Sequence, residues 1–539
     1  MNKDLTNRKI SFPYGILFQI PVLIIAILGL YELFEKVFYS FTNFNMLEEP
    51  SFVGFGNYIN IFKEKVVLKC LGNTVIMVCV VAALLIVTAV LPAIFTAKLK
   101  LPFGLAVMGA FACVSICSMI SDPFRMFFSG DRYGMLNSIL IHASVIQEPI
   151  AFARSYAMLL SVLVLWLYCL APVFFITYVA ARMKHSFLGA AIAVCLIPVL
   201  MYNGGGIPAG VVGFPSADHT ADWLYTAFRD YHLVRFQVGY AHGIMVIGLM
   251  MLVVWCALVS AIVFGAWTLC KKCKARSTPL QVMGFVSFGL ALLLFVVFAA
   301  FMTTHLARAY MPIEEMFVFP VRFLPEKPTN ENFVRLAEML SSFSVPGSRY
   351  WFNTLLAVPF ILMAVCVTIA LPSGVGFGLT KASKHQKMLL LCFVPFLFVS
   401  GYTTLSKTGM LNSYAAYILP FLSSFEFLLA VFLAYLAVKL VFDSGKPRVS
   451  NILLGSFFVL TSFYAIGVIR GIWCGSGDGI YNENLKTWQV ISVYFSSGGV
   501  ARGNVAAANT IIMLLVTLAV VAVPSVLLLV LYLSCRKKR

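Results

Sequence analysis

The sequence predicts an all-α polytopic membrane protein of about twelve transmembrane helices, set as two tandem six-helix halves, residues 1–275 and 276–539. Three observations predict it. The chain is 61% hydrophobic and only 11% charged, with a mean hydropathy of +0.93, which no ordinary water-soluble domain tolerates. Unbroken apolar runs of span length recur from end to end, and lipid admits only structures that satisfy every backbone group internally. Three short motifs appear twice, in the same order.

At about 20 apolar residues per span, the first half carries helices near 14–38, 72–97, 102–121, 155–180, 186–202 and 241–269. The second half carries them near 279–302, 352–378, 386–402, 420–441, 451–470 and 505–533. The first run is longer than a signal-peptide core and lacks a small-residue cleavage site, so it reads as a retained span. With the N-terminus inside, the inner loops collect Lys98 and Lys100, Arg182 and Lys184, Lys271 to Arg276, Lys381 to Lys387, Lys446 and Arg448, and Arg536 to Arg539. The other face holds nearly all the acidic residues, including Glu48, Asp122, Asp222, Glu315 and Glu483. This asymmetry places both termini in the cytoplasm, with the bilayer as the main surroundings. The formal charge of +18 is therefore spent on orientation; it forms no basic domain with interleaved aromatics, and nucleic acid is not an expected partner.

The repeats fix a register. Gly134-Met135-Leu136-Asn137-Ser138 returns as Gly409-Met410-Leu411-Asn412-Ser413. Asn73-Thr74, just before the second helix of the first half, is echoed by Asn353-Thr354, and Asn57-Tyr58 by Asn332-Phe333. Ordered matches imply an internal duplication. Six spans per half make the two copies run the same way, about a pseudo-two-fold axis along the membrane normal.

In order, these motifs resemble the sugar-type, binding-protein-dependent ABC importer permeases, a family exemplified by the maltose permease pair. FVGFGNYINIF at Phe52 to Phe62, GMLNSIL, Asn203-Gly204-Gly205-Gly206, and YTAF with GYAHG at Tyr225 to Gly243 follow the larger partner. PTNENFVRL at Pro328 to Leu336, YWFNTLLAV, and LSKTGMLNSYAAYILP at Leu405 to Pro420 follow the smaller one. The resemblance covers nearly the whole chain and implies two permease subunits fused into one. It further implies a carbohydrate or similar solute, an extracytoplasmic solute-binding protein, and separate ATPase subunits.

Such permeases meet their ATPase through a cytoplasmic loop after the fourth span of each core, with a Glu-Ala-Ala start and a downstream Asp-Gly. Here Ala180, Ala181 and Arg182 stand in the ungapped match, but Val179 replaces the Glu, Lys184 the Asp and His185 the Gly. In the second half the loop shrinks to a turn from Asp443 to Ser450, with Gly445 inside it, and Ser462-Phe463-Tyr464-Ala465 replaces the family's Trp-Asn-Asp element. These departures motivate an alternative: a permease-like protein without ATP coupling, acting as sensor, scaffold or passive conduit. An ion-coupled secondary transporter ranks last, because it calls for carboxylates in several spans and Glu426 alone fits.

No segment has the form GxxxxGK followed by Ser or Thr, so the chain carries no phosphate-cradling loop and is read as a non-enzyme needing no cofactor. No HExxH occurs, the seven histidines are scattered, and Gly475 to Gly479 reads as an outer loop. The thirteen cysteines lie mostly in apolar runs, and Cys270 with Cys273 lacks the second ligand pair of a zinc site. The candidates for a solute path are Glu426, Tyr464, Trp166, Tyr168 and Tyr178. Aromatic faces stack on sugar rings, and an ionisable group in a span faces an interior. Against this stand helix packing and interfacial anchoring for the aromatics, and an outer helix end for Glu426.

Overall fold

The computed structural model describes residues 19–182, 185–213, 215–272, 277–379, 409–442, 448–474, 480, 482–496 and 502–536. All the regular elements among the described residues are helices, with one isolated bridge between Thr42 and Phe52. The long helices are α1 (Ile20–Tyr39), α2 (Lys65–Thr96), α3 (Leu101–Cys117), α4 (Ala157–Arg182), α5 (Ser186–Asn203), α6 (Val238–Lys272), α7 (Ser277–Ala307), α8 (Gly347–Gly378), α9 (Phe425–Phe442), α10 (Val449–Cys474) and α11 (Gly503–Arg536). Nine of them, among the described residues, are long and apolar enough to cross a membrane. The protein is thus an all-α, membrane-embedded chain. Of the three other expected spans, α1 carries Glu32, Glu35 and Lys36, α3 is 17 residues long, and 386–402 lies outside the described residues.

Contacts divide the chain into two compact units. One holds Glu35–Asn330 with Gly499–Asn504; the other holds Met1–Phe34, Glu331–Gly498 and Val505–Arg539. Chain order and contact therefore group the helices differently. In the 35–330 unit, α7 packs on the end of α2 and on α3: a Cβ on Gly284 would lie 3.0 Å from the Phe95 carbonyl oxygen, and Phe103 meets Phe285 and Phe288 edge-on. In the other unit, Gln19 Nε2, just before α1, donates to the Ser373 carbonyl of α8 at 3.1 Å.

Prolines shape the long helices in one recurrent way. A helical proline lacks an N–H and pushes on the carbonyl four residues back, so the chain must open one turn earlier. In α2 a π turn at Ile86–Val90 precedes Pro92; in α8, π turns at Asn353–Ala357 and Cys366–Ala370 precede Pro359 and Pro372. The freed carbonyls find partners. That of Leu355, four residues before Pro359, accepts the Tyr464 hydroxyl at 2.8 Å. In α4 the opening before Pro172 is bridged from α3: Ser115 Oγ donates to the Leu167 carbonyl at 2.9 Å and accepts from Ala171 N at 3.1 Å.

The α4–α5 pair forms a tight hairpin. A Cβ on Gly189 of α5 would fall 2.3 Å from the Ala180 Cβ of α4, so only glycine lets the backbones approach this closely. Buried on nearly every side, α4 forms the core of its unit, whereas α6 presents Val253, Val254, Leu258, Ile262 and Phe264 outward, as a lipid-facing helix does.

Candidate functional site

Each unit contains a polar clamp built on an Asn-Thr pair near the start of a long helix. In α2, Thr74 Oγ1 donates to the Cys70 carbonyl at 2.7 Å and accepts from Leu224 N at 2.9 Å. Beside it, Asn73 Nδ2 donates to the Asp222 carbonyl at 2.7 Å, with longer contacts to His219 and Thr220. One turn earlier, Lys69 donates to the Asp218 carbonyl. In α8, Thr354 Oγ1 donates to the Tyr350 carbonyl at 2.7 Å and accepts from Trp488 N at 2.8 Å. Asn353 Nδ2 donates to the carbonyls of Asn484 and Lys486, both at 2.8 Å, and Arg349 Nε to that of Asn484 at 3.0 Å.

The correspondence holds for the Asn and Thr bonds; Lys69 differs, since its acceptor Asp218 lies two residues before the position that matches Asn484. One spacing separates Lys69 from Arg349, Asn73 from Asn353, Thr88 from Thr368 and Pro92 from Pro372. A second spacing separates Thr220 from Asn484, Asp222 from Lys486 and Leu224 from Trp488. The π turns at Ile86–Val90 and Cys366–Ala370 fall in the same register, and both threonines bond back one turn, Thr88 to Leu84 and Thr368 to Ala364. The repeated GMLNS does not behave so uniformly. Gly134 opens the short helix Met135–His142 with φ −60°, while Gly409 has φ +66° and its copy continues into a 3₁₀ turn at Tyr414–Tyr417.

In the unit that holds α8, Glu426 at the start of α9 pairs with Arg470 at the end of α10, Oε2 to NH1 at 3.2 Å, while Cys474 Sγ lies 3.4 Å from Oε1. The Arg470 guanidinium also lies over the Phe421 ring. Arg470 and Cys474 bound a π turn, which turns both side chains toward one carboxylate, and Gly471 between them packs on Thr354. An isolated charge in an apolar bundle is costly; pairing and hydrogen bonding make this one tolerable. The ion pair therefore backs the second clamp. The sequence reading singled out Glu426 and missed Arg470, whose signal was an arginine at the end of an apolar run.

The aromatic candidates pack between helices. Trp166 Nε1 donates to Thr88 Oγ1 at 2.9 Å, Tyr168 lies against Gly204, and Tyr178 stacks on Phe174 over Gly104, too close to admit a Cβ there. Tyr464 is held by the Leu355 carbonyl and the edge of Phe360. Trp166, Tyr168 and Tyr178 belong to the 35–330 unit, Glu426 and Tyr464 to the other.

Of the coupling-loop candidates, Ala180 and Ala181 are buried in the last turn of α4 beside Val179, and Arg182 NH1 donates to the carbonyls of Ala97 and Leu99 at 3.2 and 3.1 Å. His185 N closes on the Ala180 carbonyl at 2.8 Å, and α5 starts at the next residue. Lys184, Asp443 and Gly445 lie outside the described residues. α4 ends at Arg182 and α5 begins at Ser186; α9 ends at Phe442 and α10 begins at Val449.

A second buried polar group lies in the 35–330 unit. Asp122, at the start of the short helix Asp122–Phe127, has His305 Nδ1 at 4.0 Å from its Oδ2, with Arg308 nearby. Burial pushes the Asp122 carboxyl up to about 7, while the Arg125 and Arg308 charges act the other way. Among the described residues no group of three or more His, Cys, Asp or Glu is placed to hold a metal ion. No family model matches the chain, and no curated protein or solved structure matches it.

Proposed function

We propose that the chain is the permease of a solute importer, made by duplicating one six-helix bundle within a single polypeptide, in the manner of the binding-protein-dependent carbohydrate importers. In this reading twelve spans form two halves about an axis along the normal of a bacterial cytoplasmic membrane, with both termini inside. A binding protein delivers a carbohydrate or similar solute from outside, and separate ATPase subunits supply the energy. The observation that most supports it is the shared register of the two clamps: the same donors, the same carbonyls and the same π turn before a proline recur in α2 and α8. Two unrelated helices have no reason to agree at so many positions. The Glu426–Arg470 pair is then a charged, hydrogen-bonding point inside an otherwise apolar permease.

Affinity purification of the full chain from its native membranes tests this. The expected result is co-purification of an ATPase with a phosphate-binding loop and of an extracytoplasmic binding lipoprotein; recovery of neither would contradict the importer reading. A second reading, a permease-like protein without ATP coupling that serves as sensor, scaffold or passive conduit, is favoured by one observation. Ala180 and Ala181, which match the start of the family's docking loop, are buried in the last turn of α4. Purification of the binding protein without any ATPase is the result that reading expects.

A further inference from the structure

Outside both clamps, one pair of nucleophilic side chains meets across two helices. Cys195 of α5 and Cys256 of α6 are 61 residues apart in sequence, yet each sulfur lies 4.0 Å from the other residue's carbonyl oxygen. Such reciprocity requires the helices to cross at these two residues with both side chains turned into the crossing. A neighbouring bond fixes that crossing: Trp255 Nε1 donates to the Val194 carbonyl at 2.9 Å, one position earlier on each helix. Disulfides need Cα atoms within about 4.4–6.8 Å and Cβ vectors that converge; here each sulfur reaches to 4.0 Å from the facing backbone, so both side chains point into one crossing. Both cysteines are partly exposed, so a small oxidant dissolved in lipid reaches them.

We propose that Cys195 and Cys256 form an intramolecular disulfide on exposure to a hydroperoxide, tying α5 to α6. One sulfur, having lost its proton, attacks a peroxide oxygen; the O–O bond breaks, giving a sulfenic acid and a hydroxide that takes up the released proton as the first water. The second sulfur then attacks the sulfenic sulfur, the S–O bond breaks, and its oxygen leaves as a second water with the remaining thiol proton. Two thiols and one hydrogen peroxide become one disulfide and two waters, with two electrons passing from sulfur to peroxide. The bridge closes a chain segment that contains the loop held by Asn73 and Thr74, so oxidation fixes the framework around that clamp.

The test treats the full chain, in its own membranes, with hydrogen peroxide. Remaining thiols are then alkylated in denaturant and the disulfides mapped by mass spectrometry. The expected result is a cross-linked peptide joining Cys195 to Cys256, loss of alkylation at both, and its return on reduction, whereas the exposed Cys79 and Cys113 remain alkylatable. Cys195→Ser and Cys256→Ser each abolish the product, and Cys79→Ser leaves it intact. If Cys195 and Cys256 stay alkylatable after oxidation, or are found singly oxidised or bridged to other cysteines, the proposal is overturned; the wild-type map decides this even where a variant fails to accumulate.

Discussion

The clamp at Asn73–Thr74 and the clamp at Asn353–Thr354 share their core bonds and differ in what surrounds them. Asn353 makes two carbonyl contacts at 2.8 Å and accepts the Tyr414 hydroxyl at 2.7 Å, and Trp351 stacks on Trp488 with ring centres 4.1 Å apart. Tyr350 and Tyr417 reach Glu483 and the Leu485 carbonyl of the same loop. At the first clamp one carbonyl contact of Asn73 is short and the other two are 3.3 and 3.4 Å, and the positions of the two tryptophans are held by Leu71 and Leu224. That loop relies instead on its own residues: Asp222 accepts from Ser216 N at 2.9 Å and pairs with His219 at 2.6 Å. The comparison teaches that one bonding scheme is kept while its support passes from side chains within the loop to aromatic side chains around it.

The largest expected effect breaks the support of the second clamp. Glu426→Gln leaves Arg470 buried without its counter-charge, which costs about 3–5 kcal/mol when one partner of a buried pair is removed. Because Gly471 packs on Thr354, thermal unfolding of the purified chain drops together with protease resistance of the 482–488 loop. A drop without exposure of that loop would separate the ion pair from the clamp.

Asn353→Ala follows. It strands two loop carbonyls and the Tyr414 hydroxyl, and at about 1–3 kcal/mol for a buried group left unpaired, a loss of about 3 kcal/mol is expected. Asn73→Ala removes one short bond and two long ones, for about 1–2 kcal/mol. Chemical unfolding in detergent measures both, and a larger loss at Asn73 would reverse the ranking of the two sites. The smallest effects are Thr74→Val and Thr354→Val, each about 1 kcal/mol, and they should be equal, because the two hydroxyls make the same pair of bonds at nearly the same distances.

Nine spans among the described residues were legible in the sequence, because lipid imposes a long apolar run on each. Asn73-Thr74 and Asn353-Thr354 were also legible, since side chains that donate to a fixed carbonyl cannot change without losing the bond. Their acceptors were not. Thr220, Asp222 and Leu224 share no residue type with Asn484, Lys486 and Trp488, for a backbone carbonyl or N–H serves equally under any side chain. The Val-Thr-x-x-Leu-Pro repeat at Val87 to Pro92 and Val367 to Pro372 escaped the reading, although the Asn-Thr spacing leads directly to it. GMLNS misleads in the other direction, with the same letters on two backbones. The aromatic path candidates show why a helix face cannot be read from residue type: Trp166, Tyr178 and Tyr464 each meet a neighbouring helix.

Amide hydrogen exchange, followed by mass spectrometry on the wild-type chain and on Thr74→Val and Thr354→Val, most directly tests the claim that one bundle was copied with its clamp. The account predicts that Leu224 N–H and Trp488 N–H are both protected, and that each valine releases its own loop, 216–224 or 482–488, to a comparable extent. Release of one loop with no change in the other clamp's variant would contradict it.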